Sequence, residues 1–211
     1  MKRTLIAVAT LSTLLAAPAF SHEQGTFLFR FGAAGMLPNE GRDDVLGAGE
    51  FKIDDNYQLG LTFGYMLTDN IAVELLAATP FKHTVSLNGV GDITEIKHLP
   101  PTLMLEYYFG NAQSQWRPYA GIGLNYTTFF DESLSSTAQG LGLSDISLDD
   151  SWGVAVNVGL DYQINDRWFV GGSLWWADIN TDVNVKVGGT PASISTEVDP
   201  WVVMLSAGYK F

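Results

Sequence analysis

Cysteine is absent from this 211-residue chain, basic residues are few, and long apolar runs are nearly missing. Without cysteine the protein takes no stability from disulfides and cannot build a thiolate site. The 11 Lys and Arg residues stand against 23 Asp and Glu residues, a formal net charge of −12. Nucleic-acid binding demands clustered positive charge, so the composition argues against a nucleic-acid partner.

The one apolar run lies at the N-terminus. It spans Leu5 to Ala17, which is short of the about 20 residues that a membrane-spanning helix needs. A basic start precedes it, and Ala19 and Ser21 place small residues at the −3 and −1 positions of a cleavage site. This pattern predicts a cleaved signal peptide over residues 1–21 and one domain over residues 22–211. The alternative is an N-terminal anchor helix.

The rest of the chain alternates between apolar and polar residues. From Trp201 to Phe211 every odd position is apolar, whereas the even positions are mixed, small or charged. Because successive side chains of a strand point to opposite faces, this period of two predicts strands. Short connections alternate with long ones between the strand candidates, which cover residues 26–37, 56–67, 71–81, 95–109, 117–130, 151–164, 168–187 and 201–211.

This layout predicts an all-β fold, an eight-stranded antiparallel transmembrane β-barrel of the outer-membrane type. Its short turns face the periplasm and its long loops are extracellular. The outward aromatic residues cluster at both strand ends, as girdles at the membrane interfaces do, which disfavours a lipocalin-like soluble barrel. The terminal Phe211 is interpreted as the assembly signal through which the C-terminal strand meets the barrel-assembly machinery. The outward aromatics are Phe27, Tyr65, Tyr107, Phe109, Tyr162, Trp168, Tyr209 and Phe211 at the turn end, and Tyr57, Tyr126, Phe130, Trp152, Trp176 and Trp201 at the loop end.

Several motifs resemble the outer membrane protein W family. They are QLGLTF at 58–63, TDN at 68–70, LLAATPF at 75–81, HLPPTL at 98–103, PYAG at 118–121, NYTTFF at 125–130, and the ending from DPW at 199–201 to GYKF at 208–211. The resemblance covers the whole predicted mature chain. It implies an eight-stranded barrel in the outer membrane of a Gram-negative bacterium that passes small hydrophobic compounds, as related alkane-uptake porins do. The family's loops vary, so the resemblance says little about them.

Charged residues are expected inside the barrel. Arg30, Glu74, Glu106, Asp161 and Lys210 have inward parity near the turn ends of their strands. A charge in a low-dielectric interior must be paired, so the set predicts a salt-bridge plug. A proton relay or a catalytic carboxylate pair is the alternative, but no nucleophile or metal is positioned behind it.

The inner face nearer the loops is apolar. Leu76 and Ala78 on the third strand and Trp175 on the seventh point inward from opposite walls, and Leu76 and Trp175 are predicted to pinch the lumen. Met66 and Met104 add adaptable lining nearer the turn end. The residues alone support a packed filler and an apolar pathway equally, and the family resemblance favours the pathway.

Prolines interrupt two neighbouring strands. Pro80 lies on the third strand, and Pro100 and Pro101 lie on the fourth. Proline donates no ladder hydrogen bond, and a closed barrel has no edge strand to accommodate it. These residues predict a gap between the two strands above mid-membrane that opens the lumen sideways into lipid. The alternative places the prolines in strand extensions above the membrane.

These features predict a passive channel for small hydrophobic molecules, surrounded by outer-membrane lipid and lipopolysaccharide, without a cofactor or an energy source. The alternative function is a surface receptor or adhesion barrel whose loops bind a bacteriocin, a phage or a host partner. His83 and His98 flank the second loop, but no third ligand or nucleophile–base spacing accompanies them. No catalytic or metal site is therefore predicted, and the chain is not expected to be an enzyme.

Overall fold

A computed structural model describes residues 22–38, 51–87 and 89–211. The predicted signal peptide, residues 1–21, lies outside the described residues. No helix within these ranges is long and apolar enough to cross a membrane. The elements are β1 (Phe27–Leu37), β2 (Phe51–Ile53), β3 (Asn56–Met66), β4 (Ile71–Ala78), β5 (Phe81–Leu87), β6 (Gly91–Leu99), β7 (Thr102–Tyr108), β8 (Trp116–Leu134), α1 (Ser136–Gly140), β9 (Leu143–Leu148), β10 (Ser151–Gln163), β11 (Trp168–Ala177), β12 (Asn180–Val187), β13 (Thr190–Glu197) and β14 (Trp201–Lys210).

Eight of these strands close a barrel in the order β1, β3, β4, β7, β8, β10, β11 and β14, with β14 paired back to β1. Each barrel strand is antiparallel to the barrel strand that follows it in the chain. The predicted eight-stranded antiparallel barrel is thereby confirmed. Closure leaves the barrel wall without an edge strand that would expose unpaired backbone groups.

Short polar turns connect the strands at one end of the barrel. The Thr68 hydroxyl accepts hydrogen bonds from the backbone N–H groups of Asn70 and Ile71, at 3.2 and 2.9 Å. Asn165 does the same for Arg167 and Trp168, at 3.0 and 2.9 Å. These side-chain hydrogen bonds are local to each turn, which explains why the sequence indicates the turns clearly.

The barrel wall is apolar outside and polar inside. On β7 the outward Leu103, Leu105 and Tyr107 are about half exposed, at 50–51 %, whereas Met104 and Glu106 between them are 1 % exposed. The same alternation runs through β3 and β10. A soluble protein has the inverse arrangement, so this outer surface faces lipid.

Three predicted strands are shorter than the sequence indicated. The strand expected over 71–81 divides into β4 and β5 at Pro80, and the one over 95–109 divides into β6 and β7 at Pro100 and Pro101. Proline breaks the ladder there because it has no N–H group to donate. The strand expected over 168–187 ends at Ala177, where the Ile179 N–H donates to the Asp199 side chain at 3.0 Å instead of to a neighbouring strand.

The segments beyond the barrel form further strands. β12 and the second half of β6 lie within the predicted strands over 168–187 and 95–109, whereas β2, β9, β13 and most of β5 fall in predicted loops. β5 and β6 form a hairpin that pairs with β2 and with the upper part of β8. β9, β12 and β13 form a separate three-stranded sheet. α1 is capped by Ser135, whose hydroxyl accepts from the Ala138 N–H at 3.1 Å. These elements stand on the loop side of the barrel and enclose space above the lumen.

Candidate functional site

The barrel interior divides into two parts. The end nearer the short turns holds the buried charges, which we call the plug, together with a buried cluster of Leu28, Met66, Ala72, Tyr108, Tyr119 and Phe169. The end nearer the loops holds an apolar group that we call the upper cluster, made of Ala34, Met36, Leu76, Phe81, Met104, Ala155, Trp175, Val202 and Met204.

Arg30 is the centre of the plug. Its guanidinium forms ion pairs with Glu74 and, at 2.7 Å, with Asp161, and it donates to the Tyr108 hydroxyl at 2.6 Å. The Tyr108 hydroxyl in turn donates to Glu106 at 3.2 Å. All four charged or hydroxyl partners are at most 2 % exposed. The network therefore joins four barrel walls across the lumen, because these residues lie on β1, β4, β7 and β10.

Lys210 is connected to the same network through the side chains of Gln163 and His22. Its ammonium group donates to Gln163 at 2.7 Å, and the Gln163 amide contacts the His22 ring at 2.8 Å. His22 lies 3.4 Å from the Asp161 carboxylate and stacks on Tyr108. The sequence analysis placed Lys210 in the plug but did not anticipate His22. His22 precedes β1, so the alternation along the strands could not indicate that its side chain points into the barrel.

Arg117 is a buried plug cation that the sequence analysis missed. It is 0 % exposed, it donates to the Asp69 carbonyl at 2.8 Å, and its guanidinium lies 5.4 Å from the centre of the Tyr108 ring. The odd parity that points Gly121, Gly123 and Asn125 inward on β8 also points Arg117 inward, so the signal was present. With Arg117 the buried ions of the described residues are three cations and three carboxylates: Arg30, Arg117, Lys210, Glu74, Glu106 and Asp161.

The structure brings the predicted constriction residues together. Leu76 and Trp175 belong to the upper cluster and are 7 % and 3 % exposed, and Ala78 packs against its border. The Trp175 indole N–H donates to Ser173 at 2.9 Å, which orients the ring. The two methionines separate. Met104 pairs with Glu74 of the plug, two positions nearer the turn end than Leu76, but its side chain packs in the upper cluster. Met66 lies in the turn-end cluster beside Tyr108.

The barrel wall is interrupted beside the upper cluster. The β4–β7 ladder ends at the pair Leu76 and Thr102, and the β5–β6 ladder begins at the pair Phe81 and His98. Residues 77–80 and 99–101 therefore face each other without backbone pairing, and we call this stretch the seam. It contains all three prolines that the sequence singled out, Pro80, Pro100 and Pro101.

The strands that flank the seam remain paired with their other neighbours. On its outer sides the Thr79 N–H still donates to the Leu59 carbonyl, and the Tyr126 N–H donates to the Pro101 carbonyl, both at 3.0 Å. Tyr126 packs on Trp152 in the loop-end aromatic girdle, with ring centres 4.7 Å apart. The seam is thus level with the loop-end aromatic residues Tyr126 and Trp152.

A cavity of about 350 Å³ lies above the upper cluster, and we call it the vestibule. Its walls come from the β5–β6 hairpin, from β8 and from the β9–β12–β13 sheet, and nearly all of them are apolar side chains such as Val85, Ile96, Leu148, Val183 and Ile194. The alternation of these extracellular strands explains the lining, because their apolar faces turn inward and their polar faces turn to solvent.

Two histidines form part of the vestibule wall. His83 and His98 stack with ring centres 5.1 Å apart on the β5–β6 hairpin, which lies beyond the eight strands of the barrel. Burial lowers the pKa of His98 from 6.5 to about 3 and also lowers the pKa of His83, so both rings are neutral near pH 7. Within the described ranges, no three His, Cys, Asp or Glu side chains are grouped to hold a metal ion.

Comparison with known proteins agrees with this architecture. The family model described as the OmpW family matches residues 23–211. The chain is 52 % identical to outer membrane protein W of Vibrio cholerae and 52 % identical to that of Escherichia coli, in both cases over 100 % of each chain. The crystal structure of the outer membrane protein OprG from Pseudomonas aeruginosa superposes with a TM-score of 0.83 at 42 % identity, covering 90 % of this chain and 98 % of that one.

Proposed function

Because this chain belongs to the OmpW family and lies in the outer membrane of a Gram-negative bacterium, we propose that it is a passive channel for small hydrophobic molecules. A molecule enters the vestibule from outside, passes between Leu76 and Trp175, and leaves through the seam into the lipid. The plug below remains closed during this passage.

The position of the seam above the plug carries the proposal. An apolar molecule that continued downward would have to separate buried ion pairs such as Arg30 and Asp161, which costs several kcal/mol. The route through the vestibule, the upper cluster and the seam meets mainly apolar side chains, with neutral polar ones such as His98, Thr102 and Thr127 among them. The sideways route therefore has the lower barrier.

The unpaired backbone at the seam supports the same route. Irregular backbone at membrane depth is tolerated only where it is buried in protein or lines a cavity. Three prolines keep residues 77–80 and 99–101 from forming a ladder, although the strands on either side remain paired.

The constriction is tested by placing a charge in it. We expect Leu76→Arg to lower hydrocarbon uptake into proteoliposomes at least about tenfold, because a guanidinium in the apolar passage must stay hydrated. Leu76→Met keeps the volume and polarity and serves as the matched control, for which uptake is retained. Undiminished uptake by a folded Leu76→Arg variant would exclude the route between Leu76 and Trp175.

The lateral exit is tested by closing the seam. Because the chain has no cysteine, the pair Ala77→Cys and Pro101→Cys can be bridged selectively with a short bis-maleimide. Extending the β4–β7 register places these two positions opposite each other. Bridging should stop uptake, whereas bridging Leu75→Cys to Leu103→Cys, which are already paired in the ladder, should leave it unchanged. Equal uptake by both bridged proteins would rule out exit through the seam.

A further inference from the structure

Every methionine after Met1 lies inside the barrel. Met36, Met66, Met104 and Met204 are each at most 1 % exposed, and three of them, Met36, Met104 and Met204, share the upper cluster. Methionine fills irregular apolar space well, which accounts for its burial. Its thioether is also a soft donor atom that selects soft metal ions such as Cu(I). The surroundings of each sulfur atom decide between these two roles.

The sulfur atom of Met36 faces an imidazole nitrogen. His98 Nε2 lies 3.2 Å from Met36 Sδ, although the two residues are 62 positions apart, and both side chains are at least nine-tenths buried. Phe81 and Phe129 pack around the His98 ring, so its environment is otherwise apolar. A neutral imidazole of the vestibule wall and a thioether of the upper cluster thus meet.

A second imidazole ring, that of His83, stacks on His98 with ring centres 5.1 Å apart. His83 Nδ1 is 2.5 Å from the Asp54 carbonyl oxygen, and because a carbonyl only accepts, Nδ1 carries the ring proton. The unprotonated Nε2 is then left with a free lone pair. That atom is buried and makes no hydrogen bond within the described structure. An unsatisfied buried acceptor is costly unless something binds it.

We propose that Met36 Sδ and His98 Nε2, with His83 Nε2 beside them, form a binding site for a soft monovalent cation, Cu(I) or its analogue Ag(I). The His98 ring proton moves to Nδ1, which frees the Nε2 lone pair for the ion. The ion enters through the vestibule, whose wall both histidines form.

The donor set explains the choice of cation. All three donors are neutral, and no three His, Cys, Asp or Glu side chains are grouped for a harder ion within the described residues. None of the donor atoms belongs to a carboxylate, so a divalent ion would be bound at a much larger desolvation cost than a monovalent ion. Thioether and imidazole ligands together favour Cu(I).

The site is tested with silver ion, which needs no reducing agent. The protein in detergent micelles, labelled with ¹³C at the methionine methyl groups, is titrated with silver nitrate in chloride-free buffer and followed by NMR. We expect the Met36 signal to shift and to saturate at one equivalent. The Met66 signal should stay in place, because Met66 lies in the turn-end cluster among Leu28, Tyr108 and Phe169.

Two variants and a matched control separate ligation from packing. Met36→Leu and His98→Phe should each weaken silver binding at least about tenfold, since each removes a donor atom but keeps an apolar side chain of similar size. Met66→Leu should leave the affinity unchanged. Equal shifts of Met36 and Met66, or an affinity that survives both Met36→Leu and His98→Phe, would overturn the assignment and leave an N–H···S contact in a packed core.

Discussion

Arg30 on β1 and Asp161 on β10 are 131 residues apart in the sequence, and their side chains meet inside the barrel with Nη2 and Oδ2 2.7 Å apart. The two strands are not neighbours, because β1 pairs with β3 and β14, and β10 pairs with β8 and β11. The ion pair therefore crosses the lumen. It closes the turn end and at the same time ties opposite walls of the cylinder together.

Removal of Arg30 should destabilise the barrel strongly. Arg30→Met leaves Glu74 and Asp161 buried without their shared cation, and breaking a buried pair from one side costs about 3–5 kcal/mol. The free energy of unfolding is measured by urea titration in lipid vesicles, followed by tryptophan fluorescence. Arg167→Met is the control, since Arg167 is exposed and the one hydrogen bond of its side chain within the described residues goes to the Tyr209 hydroxyl at 3.2 Å. If the two variants lose equal stability, the plug is not a structural element.

The loss of stability on substitution of Arg117 should lie between those for Arg30 and Arg167. The Arg117 guanidinium is fully buried, but no carboxylate within the described structure lies in ion-pair range of it, and Nε and Nη1 lack hydrogen-bond partners. We expect Arg117→Met to cost about 1–3 kcal/mol through the lost contact with the Asp69 carbonyl and with the Tyr108 ring. The same urea titration decides the order. A loss as large as that of Arg30→Met would show that Arg117 pairs with the plug carboxylates in the membrane.

The barrel and its orientation follow from the sequence because residue parity is a local signal. Each outward Leu, Val or aromatic residue is followed by an inward small or polar one, and the count of strands needs no long-range information. The five plug residues were identified on the same basis. Arg117 also has inward parity, but the inward face of its strand was assigned from Gly121, Gly123 and Asn125 alone.

The extracellular elements were not predictable in the same way. β12 and β13 pair with each other as Val183 with Ile194, and β9 joins them through Leu148 and Val183, although glycine and serine around them resemble loop composition. Their apolar faces are narrow and gain a partner only when three distant segments meet over the vestibule. The positions at which β4 ends and β7 begins are set by the neighbouring prolines, and the alternation of apolar and polar residues does not predict them. The contact between His98 and Met36 likewise joins segments that no local pattern relates.

Gly208 should not accept a side chain. A Cβ atom at this position would overlap the ring of Phe169, which is 0 % exposed and has no room to move. Gly208→Ala should therefore cost about 1–3 kcal/mol as overpacking does. Gly172→Ala is the matched control on the neighbouring strand, because its Cβ would meet only Leu205 Cδ2 at an ordinary 3.5 Å. Phe169→Leu combined with Gly208→Ala should recover part of the loss. Equal tolerance of both alanines would contradict this packing.

The contact between Asp145 and Lys186 should be visible as a shifted titration. Lys186 Nζ lies 2.9 Å from Asp145 Oδ2 on the extracellular sheet, and this hydrogen bond lowers the pKa of Asp145 from its usual 3.8. Because the folded pKa is the lower one, the contact stabilises the sheet above pH 3.8, and this contribution is lost as the pH falls through the folded value. Both side chains are largely exposed, so the effect on total stability is small.

Lys186→Met should return the pKa of Asp145 to about its usual 3.8, as followed by the ¹³Cγ shift of Asp145 across an acid titration. High salt should have a similar but weaker effect on the unaltered protein, because at about 1 M the screening length falls to roughly 3 Å. Lys82→Met is the control, since Lys82 pairs with Glu95 on the β5–β6 hairpin instead. If the pKa of Asp145 responds equally to both substitutions, it reflects the overall charge of the extracellular face and not the contact with Lys186.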